Sequence, residues 1–493
     1  MRTTLRGASW TWLVGLTVGA ALAASCSASD SAPAESGGAA GTGGVTADAA
    51  PGDAASEAIP GKDGDLGGGS AVIDHSGAAG GVVGTVQTGA LAGDHWTAGT
   101  CGDVTLAVGI TDPAWSSEAY DAADPAPRDV HASFRFDTAT TLSVVWNTAP
   151  GTRASWVAYG DSPDKLDHFV EGVSFTCATA QFDQQALPVR IHEAHLCGLS
   201  PKRTYYYAVG GDGYWGKVYG VVTAPTPDPA AKFRFGVVGD SNNIVYPEFQ
   251  TVASKLGAVA PDWIAFTGDL VHDGAFQSQW DKWFVAAGDL FAKAPIMPAH
   301  GNHEAMATGY FAQFALPGNE EYYSFDYGQA HFVVLNDSPK SDADFATQAT
   351  FADQDLAAAA ARAVPPTFTI AMHHRPAYSS ANSNGNDQTW FCPVYDRHHV
   401  DLVLNGHEHS YESTRPVKAG AEVATQAEGT IYVTTGGAGA LLNYKANTNP
   451  LAFSQKYVET FHYLVVEVDG KKLTLRAFDE TGASIDDPIV IQK

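Results

Sequence analysis

Val400-Asp-Leu-Val-Leu-Asn-Gly-His-Glu-His409 is a β-forming apolar run that breaks into a polar cluster. Earlier segments repeat the arrangement. Phe233-Arg-Phe-Gly-Val-Val238 ends in Gly239-Asp240, and Trp263-Ile-Ala-Phe-Thr267 ends in Gly268-Asp269. Pro295-Ile-Met-Pro-Ala-His300 ends in Gly301-Asn302-His303-Glu304, and Thr367-Phe-Thr-Ile-Ala-Met372 ends in His373-His374. Helix-like segments at 249–260, 277–292 and 347–362 lie between them. This alternation predicts an α/β sheet. In such sheets ligand groups gather where strands end and loops begin, and a glycine before Asp or Asn lets the backbone turn sharply there. Carboxylate and amide oxygens mixed with imidazoles suit iron, zinc or manganese. Thiolate ligands are absent from these ends, so a structural zinc finger is excluded. A lone Gly-Asp is common and a lone His is usually structural. The weight lies in the ordered series.

Upstream, from Asp94 to about residue 224, the pattern is strand and turn. Thr141-Leu-Ser-Val-Val-Trp146 and Ser155-Trp-Val-Ala-Tyr159 alternate with a period of two, and Gly160-Asp-Ser-Pro163 is a turn signal. Leu199-Ser-Pro-Lys-Arg-Thr-Tyr-Tyr-Tyr-Ala-Val209 resembles the motif that closes the Greek-key sandwich of fibronectin type III and purple acid phosphatase N-terminal domains. The resemblance makes Tyr205 the corner tyrosine, its hydroxyl bonded back to local backbone. Pro225, Pro227 and Pro229 read as a short stiff hinge. This all-β domain, 94–224, is expected to be a scaffold in front of a catalytic domain at 230–493.

Gly239-Asp240, Gly268-Asp-Leu-Val271, Gly301-Asn-His-Glu304, His374-Arg-Pro376 and Gly406-His-Glu-His409 together resemble the calcineurin-like metallophosphoesterases. With the sandwich in front, and with Tyr378-Ser-Ser380 and Ser410-Tyr-Glu412 nearby, the closer likeness is to purple acid phosphatases. The resemblance covers residues from about 125 to 493. It implies a fibronectin III-like sandwich joined to a four-layer αββα domain with two metal ions at the strand ends. Carried over residue by residue, Asp240 and His409 would bind the first metal and Asp269 would bridge both. Asn302, His374 and His407 would bind the second. His303 would face the substrate and protonate the leaving oxygen, and Glu304 would stand behind the ligands and orient an imidazole. The implied activity is hydrolysis of small-molecule phosphate monoesters by a metal-bridging hydroxide. A phosphodiesterase or nucleotide hydrolase would use the same motif residues. A catalytically dead surface binding module of the same fold is a reading of a different class.

The sequence departs from the family at His272. Purple acid phosphatases carry a tyrosine there, whose tyrosinate binds ferric iron and gives the colour; other subfamilies carry a His two residues after the first Asp, where this chain has Asn242. A neutral imidazole in place of an anion disfavours a ferric ion. The expectation is that His272 binds the first metal and that the pair is divalent, drawn from zinc, manganese or ferrous iron. The alternative is that His272 points away and Asn242 or water fills the gap. Of the adjacent His373 and His374, the family spacing His-any-Pro selects His374, leaving His373 as a packed strand residue. His398 and His399 read as surface or helix-end residues.

The chain of 493 residues has room for two or three domains at ~150 residues each. Hydrophobic residues make up 45%, enough for a sizeable core. With 54 acidic against 28 basic residues the net charge is -26, which opposes binding to a phosphate backbone, so no nucleic-acid partner is expected. The N-terminus reads as an address: Arg2 and Arg6 precede an apolar run from Trp10 to Ala24, too short to span a membrane and suited to a secretory signal. Leu22-Ala-Ala-Ser-Cys26 resembles a bacterial lipobox, which would lipidate Cys26 and end the leader of 1–26 there. A lipid anchor would then be the only membrane contact, on an outer membrane or cell surface; ordinary cleavage would leave a periplasmic or secreted protein. Residues 27–93 are rich in Gly and Ala and hold no aromatic residue, the composition of a flexible tether. Export implies an oxidising compartment. Of Cys101, Cys177, Cys197 and Cys392, the pair Cys177–Cys197 is favoured because both lie in one domain, with Cys392 a candidate buried thiol.

Overall fold

The computed structural model describes residues 89–493, except 118, 178–182, 184–187, 212–213, 244, 339–340 and 443–449. The expected leader, Cys26 and the expected tether up to residue 88 lie outside the described residues. Among the described residues no helix is long and apolar enough to cross a membrane.

The alternating segments of the N-terminal half form two antiparallel sheets. One orders Ile110–Trp115, Val173–Cys177, Arg190–Cys197, Thr141–Thr148 and Arg128–Ser133. The other orders Tyr214–Trp215, Thr204–Gly211, Trp156–Gly160 and His168–Glu171, with Tyr219–Val222 also paired to Thr204–Gly211. Their inner faces bury Trp146, Val157 and Tyr207, as expected of a sandwich. The Tyr205 hydroxyl accepts from the Ser200 backbone N–H at 2.8 Å, which is the corner bond the sequence led us to expect.

The disulfide differs from the expectation. Cys101 pairs with Cys197, Cα atoms 5.3 Å apart, while Cys177 is a half-buried free thiol and Cys392 a buried one. Register explains why. Val173 faces Glu193 and Phe175 faces Ile191. Cys177 therefore runs toward position 189, and the strand still has ~25 Å to travel, at ~3.3 Å per residue, before it reaches Cys197. A disulfide spans about 6 Å between Cα atoms. Cys101 comes instead from the small hairpin His95–Ala98 with Gly102–Thr105, which lies over that strand end.

Two facing sheets build the second half. One orders Ile296–Pro298, Trp263–Phe266, Lys232–Val238, His462–Asp469, Lys472–Asp479 and Ile489–Gln492, its first three strands parallel. The other orders Tyr323–Tyr327, Ala330–Val334, Phe368–Met372, Leu402–Asn405, Ile431–Thr435, Tyr411–Thr414 and Ser454–Val458, parallel from Ala330–Val334 through Ile431–Thr435. Aromatic side chains fill the space between them: Trp263 meets Phe332 edge-on at 4.9 Å and stacks on Phe235 at 4.7 Å. Helix Pro247–Ala258 covers one outer face by burying Phe249, Val252, Ala253 and Leu256, a single helical stripe. Helix Asp342–Ala360 covers the other, burying Phe345, Ala352 and Leu356. The architecture is an all-β sandwich joined to a four-layer αββα domain.

Two helices depart from the expected spans. The segment 277–292 is broken at Gly288, whose φ of 59° ends helix Gln277–Ala287 before a short turn Leu290–Lys293. Helix Asp342–Ala360 starts earlier than 347 because Ser341 and Asp344 form a reciprocal capping box.

The proline segment is no hinge between free bodies. One apolar cluster runs through both halves, from Phe134, Trp146 and Tyr207 to Trp263, Trp283 and Phe314. The His131 ring stacks on Phe284 at 4.5 Å, and Tyr207 donates its hydroxyl to the Ala292 carbonyl at 2.8 Å. Ser133 Oγ donates to the Ala315 carbonyl at 2.6 Å, and Arg135 forms a buried ion pair with Glu320.

Candidate metal centre

The parallel strands of both sheets end at one place. Lys232–Val238 delivers Asp240, and Trp263–Phe266 delivers Asp269. Both aspartates sit in left-handed backbone, φ 60° and 55°, at the sharp turns the preceding glycines permit. The strand Phe368–Met372 leads to His374, and Leu402–Asn405 leads to His407 and His409. Close approach demands glycine at two neighbours. A Cβ on Gly406 would stand 2.3 Å from Asp240 Oδ2, and one on Gly301 would stand 2.2 Å from Asp269 Oδ1.

Three donor atoms converge on His374 Nε2. It lies 3.2 Å from Asp269 Oδ2, 3.1 Å from Asn302 Oδ1 and 3.3 Å from His407 Nδ1. His374 Nδ1 donates to the Thr267 carbonyl at 2.9 Å, which fixes the tautomer and leaves Nε2 free to ligate. Beside this group, Asp240 Oδ1 lies 3.5 Å from His409 Nε2. His409 Nδ1 donates to the Leu441 carbonyl at 2.6 Å, so it too presents Nε2 inward. The His407 backbone N–H holds the Asp240 carboxylate at 2.9 and 2.8 Å.

The charge balance calls for cations. Burial alone would lower the His374 pKa, but Asp269 and Asp240 push it up to about 10. Asp269 is itself held below the usual carboxylate range, burial being outweighed by His374. His409 is raised against its burial by Asp240. His407 is pushed down to about 4 by burial and by its neighbour His374. A neutral imidazole with a bare nitrogen, beside carboxylates that bid for positive charge, is a donor set that fits divalent ions. Asp269, His374 and His407 place their ligand atoms within 4.8 Å of one another.

His303 sits at the rim, its side chain 30% exposed. Its backbone N–H donates to Asp269 Oδ1 at 2.9 Å, and its Nδ1 donates to the His272 carbonyl at 2.6 Å. Nε2 is therefore turned toward Asp269 Oδ2, 3.8 Å away. Glu304 does not orient an imidazole, contrary to expectation. Its carboxylate accepts from the backbone N–H groups of Asp269 (3.0 Å), Gly301 (2.8 Å) and Leu270 (2.8 Å). It pins the two ligand loops to each other. Burial, then Asp269, push its pKa up to about 8.

His272 is exposed, its ring 5.0 Å from that of His303, and it is not among the grouped ligand atoms. Asn242 is buried with Oδ1 lacking a hydrogen-bond partner. His373 is fully buried and bonds Asp337, not the His374 group, because adjacent residues leave a strand on opposite faces. His398 closes helix Cys392–His398 and bonds Asp353 at 2.7 Å. The sequence reading passed over Arg375. It lines a cavity of about 180 Å³ with His407, Asn382, Ser383 and Asn384. The visible signal was a lone cation inside the His374-Arg-Pro376 motif.

Residues 233–411 match the calcineurin-like phosphoesterase family, and residues 127–223 match the purple acid phosphatase N-terminal domain. An uncharacterised protein of Mycobacterium tuberculosis is 25% identical over 429 residues, covering 75% of this chain and 79% of the relative. Purple acid phosphatase 15 of Arabidopsis thaliana is 29% identical over 271 residues, covering 46% of this chain and 50% of the relative. A relative whose name marks it as inactive, purple acid phosphatase 24 of the same plant, is 27% identical over 310 residues, covering 52% of this chain and 50% of the relative. Among solved structures, a purple acid phosphatase from yellow lupin (Lupinus luteus) seeds superposes with a TM-score of 0.64 at 21% identity, over 75% of this chain and 74% of that one.

Proposed function

Because the chain joins a calcineurin-like phosphoesterase domain to a purple acid phosphatase N-terminal domain, we propose that it is an exported dinuclear-metal phosphatase acting on small-molecule phosphate monoesters. The observation that carries this reading is the convergence of Asp269, Asn302 and His407 on an inward-facing His374 Nε2. Asp240 and His409 would hold one ion, joined by His272 once its exposed ring turns inward; Asn302, His374 and His407 would hold the other, and Asp269 both. Such a pair, when bound, supplies an activated water and positive charge for the phosphoryl oxygens. A divalent pair is favoured because neutral His272 stands where purple acid phosphatases carry a tyrosine.

The chain's own groups do the rest. Asp240 and Asp269 are held rigidly by backbone N–H donors, so the ligand geometry is set before substrate arrives. Arg375 places a fixed cation in the cavity beside His407, where an anionic ester would lie. His303 has its Nδ1–H committed to the His272 carbonyl. Its Nε2 is then the atom that carries the proton. As the ester P–O bond breaks and a water oxygen bonds to phosphorus, that proton goes to the leaving alkoxide. The disulfide Cys101–Cys197 supports export, since such bonds persist in oxidising compartments. Anchoring through a lipidated Cys26 belongs to the same proposal.

The test compares p-nitrophenyl phosphate with bis(p-nitrophenyl) phosphate on the full chain supplied with zinc or manganese. The expected kcat/KM is higher for the monoester by about tenfold or more, a difference of ~1.4 kcal/mol in transition-state stabilisation. On an alkyl phosphate, whose alkoxide leaves poorly without a proton, His303→Gln is expected to lower kcat by about 10²–10⁴, and by much less on p-nitrophenyl phosphate. Preference for the diester contradicts the monoester assignment, and absence of turnover on both substrates leaves the binding module.

A further inference from the structure

A second convergent cluster lies behind the metal centre. Asp337 follows strand Ala330–Val334, His373 follows strand Phe368–Met372, and Asp387 lies on the short helix Gly385–Trp390. All three side chains are fully buried, and their ligand atoms lie within 4.8 Å of one another. His373 Nδ1 is 3.1 Å from Asp337 Oδ2 and 3.8 Å from Asp387 Oδ2.

The two carboxylates are served very differently. Asp337 Oδ2 accepts from the Arg375 backbone N–H at 2.6 Å, and its Oδ1 accepts from Ser338 Oγ at 3.1 Å. No N–H or hydroxyl group donates to either buried oxygen of Asp387; the side chain close enough to share a proton with it is the like-charged Asp337. The nearby guanidinium does not reach it: Arg375 Nη1 donates to the Asp337 carbonyl and to Ser338 Oγ. Burial and the charge of Asp337 both push the Asp387 carboxyl well above the usual carboxylate range. A buried carboxylate without a partner is strongly unfavourable, and buried charges are paired or coordinate metals.

We propose that Asp337, His373 and Asp387 form a third, structural metal site that takes a divalent ion such as zinc or manganese. Two carboxylate oxygens and one imidazole nitrogen are the donor types such ions take. The ion would tie helix Gly385–Trp390, and with it the Asn382–Asn384 rim of the substrate cavity, to the strand end that carries His374. Through this link it acts as a positioning device for the rim. It takes no part in the hydrolysis.

Elemental analysis of wild type and Asp387→Asn tests this. Both proteins are loaded with zinc alone, or manganese alone, and then dialysed into metal-free buffer. Wild type is expected to hold one more ion per chain than Asp387→Asn. That difference is read whatever the dinuclear site retains. Asp387→Asn is expected to keep its turnover of p-nitrophenyl phosphate at a lowered Tm. Should Asp387→Asn fail to fold, His373→Gln carries the same comparison. Equal metal content in wild type and variant overturns the proposal and assigns the cluster a proton shared between Asp337 and Asp387.

Discussion

On the proposal that His272 replaces the tyrosine of purple acid phosphatases, one side chain would decide the charge of the first metal's ligand set. Tyrosinate is an anion that suits ferric iron, whereas imidazole is neutral and suits divalent ions. Loaded with iron, the wild-type chain is expected to show no tyrosinate band in the visible, and His272→Tyr is expected to gain one. A visible band in the wild type contradicts a divalent centre without tyrosinate. The ligand candidates were legible because each follows a glycine or a strand end in a fixed motif. What the sequence hid is what holds them. The Thr267 and Leu441 carbonyls that set the His374 and His409 tautomers are backbone atoms, and no residue type announces them. Glu304 was legible as a supporting residue, but its work on four backbone N–H groups follows from a loop conformation that only the fold supplies. Asp337 and Asp387 belong to no motif the sequence singles out and gave no signal of their own.

At the scale of elements, strand alternation and motif positions were readable, and pairing was not. Cys177 and Cys197 lie on neighbouring strands, yet the antiparallel register carries them to opposite ends. Sequence proximity says nothing about register, which the hydrophobic pattern and turns fix jointly. The Cys101–Cys197 bond closes a loop across 96 positions. Loops of that size are stabilised by about 2–5 kcal/mol when the disulfide forms. Cys101→Ala with Cys197→Ala is expected to lower stability by about that amount in denaturant melts, and Cys177→Ala is expected to change it little. A large loss from Cys177→Ala alone would contradict the assigned pairing. Helix boundaries fared less well for local reasons: Gly288 interrupts an apolar run that reads as continuous, and a Ser341–Asp344 capping box starts a helix in a polar stretch.

At the scale of the whole molecule, two domains were legible and their union was not. Proline spacing suggested a hinge, because an interface between two halves leaves no period in either. The apolar cluster running from Trp146 to Trp283 makes the sandwich part of the catalytic domain's core. The described halves should therefore unfold together. Calorimetry is expected to show one transition for both, and Tyr207→Phe, which removes the bond to the Ala292 carbonyl, is expected to cost about 1 kcal/mol. Two well-separated transitions would contradict a shared core. That these strand ends hold metal ions, and that the ions make the chain a phosphoesterase hydrolase, is a single testable proposition. Its most direct test is the rate of phosphate release from p-nitrophenyl phosphate by the full chain, before chelation, after chelation, and after zinc, manganese or ferrous iron is returned. Turnover that chelation abolishes and at least one of these ions restores is expected. Turnover indifferent to chelation, or no turnover with any ion, would contradict it.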